Sequence, residues 1–593
     1  MTPAPPQAPG TASAPAPDPA PDPDPAPTSA PSMSRARPER PRRAWLLLLL
    51  APTATVLLRL PFVLTRAGLY GSDAYLHLFI VKKWVAVSAW PATHPGHTSW
   101  YLDYEAWPGS HAFAAAAAQL GADPLVFMQW APLAVVFVLV LAVTLSIARL
   151  GGVRAAVAGG VLFGLADHIF FQTQWYTPEL LSFPLLGALL LNELSAHRRW
   201  LSLLLLTALL VTHHLSFLVG LLLFMLLTPW APRRWLLACV AYLLAVSMAF
   251  WGWLPRWVGS VDDLRAAMGG VSPALFVAAV ILGLLGLRWA VEAVSARLSG
   301  RASGGPLLGL LPGGSRLAGR PATVIIMIVA AIVVAGALAL ALGPPVGDGG
   351  IGVQPTKLLV LAAGLTFVAW VPAERQALRL ASTASVLVLL LLLNPVAFGF
   401  ARINIRFLEF IYLPGLVLLG MAASPLREGT GRRATAILLA MMMAVPVLLA
   451  DDVVRYQSDD AQRFVFSETD LDFARQVGEV TEPDAIVVAP FALSAMIWGM
   501  TERPAGGWPL QKALDAGGYQ AALPDLERAA DAGYPIYLVH SSDRVRYIEE
   551  AGDRVTDADV ARLAASLADL TDSFEPVLEL GPATLYRFHA SGS

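Results

Sequence analysis

The sequence predicts an α-helical polytopic membrane protein of about thirteen transmembrane helices with a small C-terminal extracytoplasmic α/β domain. Three observations carry that expectation. The mean hydropathy of +0.59 and the 56% share of hydrophobic residues are gathered into long uninterrupted apolar runs, the pattern of chains whose helices face lipid. Arginine clusters recur between those runs where an alternating path needs cytoplasmic loops. After Ala450 the composition turns abruptly charged and mixed, so residues 451–593 read as a soluble domain.

Residues 1–43 open the chain with a Pro/Ala-rich tail that holds too little apolar surface to offset the entropy of ordering. Its Arg35, Arg37, Arg40, Arg42 and Arg43 directly precede the apolar run 44–64. Basic residues favour the cytoplasmic side, which places the tail inside and the loop after the first helix outside. No small-residue cleavage site follows, so this helix is read as an uncleaved span rather than a signal peptide. Within the membrane domain, 44–450, further spans are expected near 124–148, 153–171, 178–195, 200–212, 214–229, 235–254, 273–289, 322–342, 357–372, 381–397, 407–423 and 433–450. Residues 200–229 are long enough for one helix. They are split at Thr212, His213 and His214 because the arginine pairs Arg198/Arg199 and Arg233/Arg234 both belong inside, which requires an even number of crossings.

In the soluble domain, 485–490, 535–540 and 583–588 read as short buried strands, and 470–480 and 556–570 carry helical spacing. Alternation of the two types indicates an α/β arrangement. The formal charge of −2 excludes a nucleic-acid partner, which needs a basic face for its phosphates. The single cysteine, Cys239, lies in an apolar run and excludes disulfides and zinc knuckles. No solenoid or propeller repeat is present.

The stretch L-Y-G-S-D-A-Y-L-H-L places Asp73 just outside the first span, with His77 four residues on and so on the same face of a helix. The pair suits a general base or metal ligand at the outer surface; it equally suits a solvated cap of an interfacial helix running to Trp90. His94 and His97 have too little context for a metal site. In W-Y-L-D-Y-E-A-W-P-G-S-H, the aromatics fit an interfacial belt, whereas Asp103 and Glu105, with Tyr104 between them, are harder to assign to packing. Asp167 and His168 close the third helix. Pro178 suits a first helical turn and Glu179 beside it is favoured by the helix dipole, so Glu179 is a second outer carboxylate with a structural alternative. His213 and His214 fall between two short helices, where polar side chains would line a cavity and bond a sugar or phosphate. Arg402 and Arg406 depart from the charge rule by lying outside, one helical turn apart, in A-R-I-N-I-R-F-L-E-F-I-Y-L-P-G. They suit phosphate oxygens, or an ion pair with Glu409, or lipid headgroups.

These strings resemble the GT-C superfamily of integral-membrane glycosyltransferases, which includes oligosaccharyltransferase catalytic subunits and protein O-mannosyltransferases. G-S-D-A-Y-L-H-L is similar to the family's first-loop D-x-Y-x-H pattern, and Y-L-D-Y-E-A-W-P-G-S-H to its Y-x-D-Y-P-P-G-x-H stretch. T-P-E-L-L-S-F-P-L-L-G-A-L-L-L, T-H-H-L-S and R-F-L-E-F-I-Y-L-P-G-L-V-L-L-G extend the resemblance over most of 44–450. It implies a polyprenyl-phosphate sugar donor, transfer on the outer face of the plasma membrane, and Asp73 as catalytic base or metal-binding acid. Glu179 matches the last acid of a D-x-E or D-x-D motif; Thr177 stands where the partner acid would be, which bears on the divalent cation, Mg or Mn, that the resemblance admits. The W-W-D-Y-G motif that reads an asparagine acceptor is absent from 451–593, and Trp498 followed by Gly499 does not replace it.

The expected activity is an inverting glycosyl transfer to a hydroxyl of an unspecified glycan, lipid or protein, with Asp73 and Glu179 catalytic. His77, Asp103, Tyr104, Glu105, His213, His214, Arg402 and Arg406 would bind substrate. En bloc transfer from a lipid pyrophosphate is the alternative within enzymes. A lipid or sugar transporter is the alternative outside them, though such folds usually carry inverted repeats that this sequence lacks.

Overall fold

The computed structural model describes residues 41–87, 108–166, 169–170, 173–195, 198–227, 413, 465–544 and 555–590. The tail expected at 1–34, the spans expected from 235 to 450, His94, His97, Asp103, Tyr104, Glu105, Asp167, His168, Arg402 and Arg406 lie outside the described residues.

The membrane region begins with α1, Pro41–Leu64. Its segment Ala44–Leu64 and the later segment Pro124–Leu150 are long and apolar enough to cross a bilayer. Large apolar side chains on α1, including Trp45, Leu46, Leu57 and Leu58, are exposed, as expected of a face that meets lipid. One cation is nevertheless buried within this span. Arg59 donates to the Thr55 carbonyl at 3.4 Å and to Thr173 Oγ1 at 3.2 Å. Its guanidinium lies 4.2 Å from the centre of the Phe170 ring.

Helix α2, Ser72–Val87, follows a short turn; the rest of the segment expected to run to Trp90 lies outside the described residues. Gly71 makes the turn possible: its φ of +81° is left-handed, and a Cβ there would approach the Trp175 ring to 2.9 Å. Helix α3, Gly109–Gln119, is the Ala-rich segment. Helix α4, Pro124–Leu165, is capped by Asp123, whose side chain accepts from Val126 N. It is two helices joined at Gly152, whose φ of 82° breaks the helical path, and the exposed Arg149 and Arg154 flank that break. The sequence placed the same boundary there and carried the second helix to 171; it stops at Leu165, where Ala166 turns extended.

Helices α5, Pro178–Leu194, α6, Arg199–Thr212, and α7, His214–Leu227, pack on one another. The break between α6 and α7 is His213 itself, with φ −160° and ψ 125°. The two-helix reading of this segment therefore matches the described backbone. The fourteen residues of α6 span only about 21 Å, less than a hydrocarbon core of roughly 30 Å.

Residues 465–590 carry a five-stranded mixed sheet in the order β2-β1-β3-β5-β4. Its elements are α8 (Glu468–Val480), β1 (Ile486–Val488), α9 (Phe491–Thr501), β2 (Ala505–Gly506), α10 (Trp508–Ala516), α11 (Leu523–Asp531), β3 (Ile536–Ser541), α12 (Asp557–Ala568), β4 (Phe574–Leu580) and β5 (Ala583–Phe588). β1 runs parallel to β2 and β3, while β5 is antiparallel to β3 and β4. Period-two alternation buries both faces. Val488, Leu538 and Phe588 face a core built with α10 and α12. Val487, Val539 and Leu585 face a second core that also contains Leu471, Met496, Leu76, Phe79 and Met128.

That second core joins the sheet region and the outer helices of the membrane region into a single packed body. Helix α9 lies on α2 with Trp498 and Phe79 rings 5.6 Å apart, and a Cβ on Gly499 would come within 2.3 Å of the Tyr75 carbonyl oxygen. Lys82 closes the contact by donating to the carbonyls of Gly499 and Met500, at 2.9 and 3.0 Å, at the C-terminal end of α9. Tyr75 faces the same way: its ring meets Phe466 edge-on at 5.3 Å and its hydroxyl accepts from Leu69 N at 3.1 Å. Phe466 is held in turn by the buried Arg544–Asp470 pair at 2.6 Å, since Arg544 also donates to Val465 O at 3.0 Å.

Backbone-to-backbone approach leaves no side chain at Gly499 free to yield. Gly499→Ala is therefore expected to destabilise the full chain by about 1–3 kcal/mol, measured as a lowered thermal midpoint in detergent. An unchanged midpoint would mean that α9 and α2 do not touch here.

Candidate active site

Opposite the face that meets α9, helix α2 turns His77 toward the membrane helices. His77 is 1% exposed and its Nδ1 lies 2.9 Å from Nε2 of His111, in the first turn of α3. One ring N–H donates and the other nitrogen accepts, so the pair cannot hold two imidazolium ions in this geometry. Trp84, two turns further along α2, lies 6.0 Å from the His111 ring. The first turn of α3 is itself fixed from two sides. Tyr176 donates its hydroxyl to the Ser110 carbonyl at 2.8 Å, and Gly109 sits so close to Thr212 that a Cβ would meet Thr212 Oγ1 at 2.5 Å.

Glu179 arrives from α5. Thr177 is the extended residue before the helix, Pro178 begins it and Glu179 lies in the first turn, the arrangement the sequence indicated, with the acid at the positive end of the helix. Glu179 Oε1 lies 3.1 Å from His213 Nε2, and the two side chains are 14% and 3% exposed. On its other side, His213 Nδ1 is 2.8 Å from Ser216 Oγ, which is 2.6 Å from Ser182 Oγ. Ser182 Oγ also lies 2.7 Å from the Glu179 carbonyl oxygen.

Four elements thus carry the candidate groups: α2 with Asp73 and His77, the start of α3 with His111, the start of α5 with Glu179, and the α6–α7 break with His213, with Gly109 on Thr212 tying α3 to the end of α6. Asp73 lies in the first turn of α2, half-buried and one turn before His77. The Trp175 ring, packed on Gly71 and at 5.8 Å from the Tyr70 ring, joins that turn to the loop leading into α5. The alternative of a fully solvated cap does not fit a helix whose Ser72 and His77 are buried.

Of the residues singled out in the sequence, Asp73, His77, Glu179 and His213 are described: Glu179 meets His213 directly, Asp73 lies one turn before His77 on α2, and His214 opens α7. The sequence reading passed over His111, Ser182, Ser216 and the buried Arg59. A usable signal existed for the serines, because each lies three residues beyond Glu179 or His213 in an otherwise apolar helix, and so on the same face.

The donor set also bears on a divalent cation. Among the described residues no three His, Cys, Asp or Glu side chains converge as a metal cage requires. His77 is bonded to His111 and Glu179 to His213, and Thr177 contributes no carboxylate.

Burial pulls the His77 imidazole down from 6.5 to about 4, with the nearby Glu179 carboxylate opposing the shift. The unfolded chain then binds more protons than the native one between those values, so His77 makes stability fall as the pH drops from about 6.5 toward about 4. The expected slope is at most about 1.4 kcal/mol per pH unit. Thermal midpoints of the full chain in detergent across that window should decline less steeply for His77→Asn than for wild type, and equal slopes would contradict the buried neutral ring.

No protein-family model matches the chain, and no curated protein sequence does. Solved structures do. The oligosaccharyltransferase of Archaeoglobus fulgidus, tethered to an acceptor peptide containing the NVT sequon, aligns with a TM-score of 0.52 at 12% identity over 93% of this chain and 74% of its own. The same enzyme in complex with Zn and sulfate gives a TM-score of 0.49 at 14% identity over 91% and 72%. ArnT from Cupriavidus metallidurans bound to undecaprenyl phosphate gives 0.35 at 14% identity over 92% and 98%. At such identities the first likeness speaks to architecture. The chain shares the fold of that oligosaccharyltransferase, in agreement with the resemblance in its sequence.

Proposed function

We propose that the chain is an inverting glycosyltransferase that moves a sugar from a polyprenyl-phosphate donor to an acceptor hydroxyl on the outer face of the plasma membrane. The observation that carries this reading is that two helices each open with a carboxylate in the first turn, Asp73 on α2 and Glu179 on α5, and that the loop leading into α5 packs its Trp175 ring on Gly71 at the start of α2. The oligosaccharyltransferase fold supports a transferase assignment; the acceptor of that enzyme does not carry over, because W-W-D-Y-G is absent and Trp498 is buried against α2.

In the proposed reaction the acceptor O–H gives its proton to the Asp73 carboxylate as the oxygen attacks C1 of the sugar. The bond between C1 and the phosphate oxygen breaks on the opposite face, and its electron pair leaves with the polyprenyl phosphate. Arg402 and Arg406 would hold that phosphate, and Asp103, Tyr104 and Glu105 would line the sugar. Glu179, restrained by His213, supplies a second carboxylate that orients the acceptor. General-base assistance with stabilisation of the leaving group is the physical logic.

Purified full-length protein assayed with radiolabelled polyprenyl-phosphate sugars tests the reading. Asp73→Asn keeps size and packing, and is expected to lower turnover by about 10²–10⁴-fold with the thermal midpoint unchanged. Wild-type turnover in Asp73→Asn would remove Asp73 from the chemistry. Donor moved across the bilayer without sugar transfer would make the chain a transporter.

A further inference from the structure

The Glu179 carboxylate is the end of a closed hydrogen-bonded circuit, and the circuit's direction can be read from its chemistry. Starting at Glu179 Oε1, it passes to His213 Nε2 at 3.1 Å, from Nδ1 to Ser216 Oγ at 2.8 Å, from there to Ser182 Oγ at 2.6 Å, and back to the Glu179 carbonyl at 2.7 Å. Ser182 and Ser216 are both fully buried and His213 nearly so, so water does not compete for these bonds. The backbone N–H of Ser216 also points at His213 Nδ1, at 3.4 Å. An N–H only donates, so Nδ1 is the accepting nitrogen and the ring proton resides on Nε2, facing Glu179. The Ser216 hydroxyl then donates to Nδ1 and accepts from Ser182, whose single proton is shared between Ser216 Oγ and the Glu179 carbonyl.

We propose that Ser216, backed by Ser182, is a positioning residue that fixes His213 in the Nε2-protonated tautomer and thereby aims the Glu179 carboxylate into the site. The backbone alone cannot do this. The extended residue at the α6–α7 break fixes where the His213 ring begins, but a half-turn of the ring would put carbon where its nitrogens stand, and the Ser216 hydroxyl, at 2.8 Å the shorter of the two bonds to Nδ1 from Ser216, holds the ring against that turn. The circuit also ties the first turn of α5 to that break, so the carboxylate and its own carbonyl are held by the same chain of groups.

The inference rests on the transferase reading for its kinetic consequence, but the tautomer has a readout that needs no turnover. In full-length protein labelled with ¹⁵N-histidine, His213, assigned by its loss in His213→Gln, should show a pyridine-type Nδ1 and a pyrrole-type Nε2. Ser216→Ala, which leaves only the longer backbone N–H bond to Nδ1, should mix the two signals, while Ser216→Thr, which keeps the hydroxyl, should preserve them. In sugar transfer, Ser216→Ala should lower kcat roughly tenfold with KM for the donor within about twofold, and Ser216→Thr should restore it. A wild-type spectrum with the proton on Nδ1, or identical spectra for wild type and Ser216→Ala, overturns the proposal. A protein that transfers no sugar but shows the expected spectra overturns the transferase reading alone.

Discussion

Helix α2 is held between two bodies of protein, and the site depends on that double contact. One face, with Tyr75 and Phe79, packs on α9 so closely that backbone meets backbone at Gly499; the other carries Asp73 and His77 toward α3 and α5. Beyond the short turn after α1, the described part of α2 is positioned by its packing on α9 on one side and on α3 and α4 on the other. Packing against the sheet region and against α3 together fix the helix that carries Asp73. The Arg544–Asp470 pair and Phe466 extend the same restraint to the segment that leads into α8. Such a buried pair does more to fix geometry than to add stability, because desolvation offsets much of its attraction.

The polar groups on the opposite side follow from a second constraint. Hydrocarbon offers no hydrogen bonds, so every buried hydroxyl or imidazole among apolar helices must find a partner within the protein. Ser182, Ser216 and His213 meet that demand jointly, and their partner at the open end is Glu179. His77 and His111 meet it as a pair. The site's carboxylates sit at helix N-termini, where unsatisfied N–H groups favour negative charge, so the same backbone geometry that starts α2 and α5 stabilises the groups the chemistry needs.

Much of this architecture was legible in one sequence because it rests on short-range signals. Arginine spacing located the breaks at Gly152 and His213, alternation located β1, β3 and β5, and Pro178 located the start of α5. The remainder depends on contacts between distant segments. β2 is only two residues long, and β4 is an edge strand carrying Pro576 and a register shift beside it, so its alternation is broken where a pattern would be sought. The pairing of His77 with His111 left no trace in either local string. Asp103 and Glu105 drew attention in the stretch that ends at His111 because charge is conspicuous in an apolar chain, whereas a histidine or a serine is not.

That asymmetry has a physical consequence for how such a site is built. A carboxylate can be recognised from its cost, but its direction is set by neutral groups that cost little to place and much to remove. Replacing one hydroxyl in the Glu179 circuit leaves a buried acceptor on His213, and the loss passes to the carboxylate because the intervening ring has two inequivalent nitrogens. The aim of Glu179 is thus encoded in α7, through Ser216, rather than in the helix that carries the acid. A serine in an apolar helix, three residues from a histidine at a helix break, is the local pattern by which the arrangement can be sought in other chains.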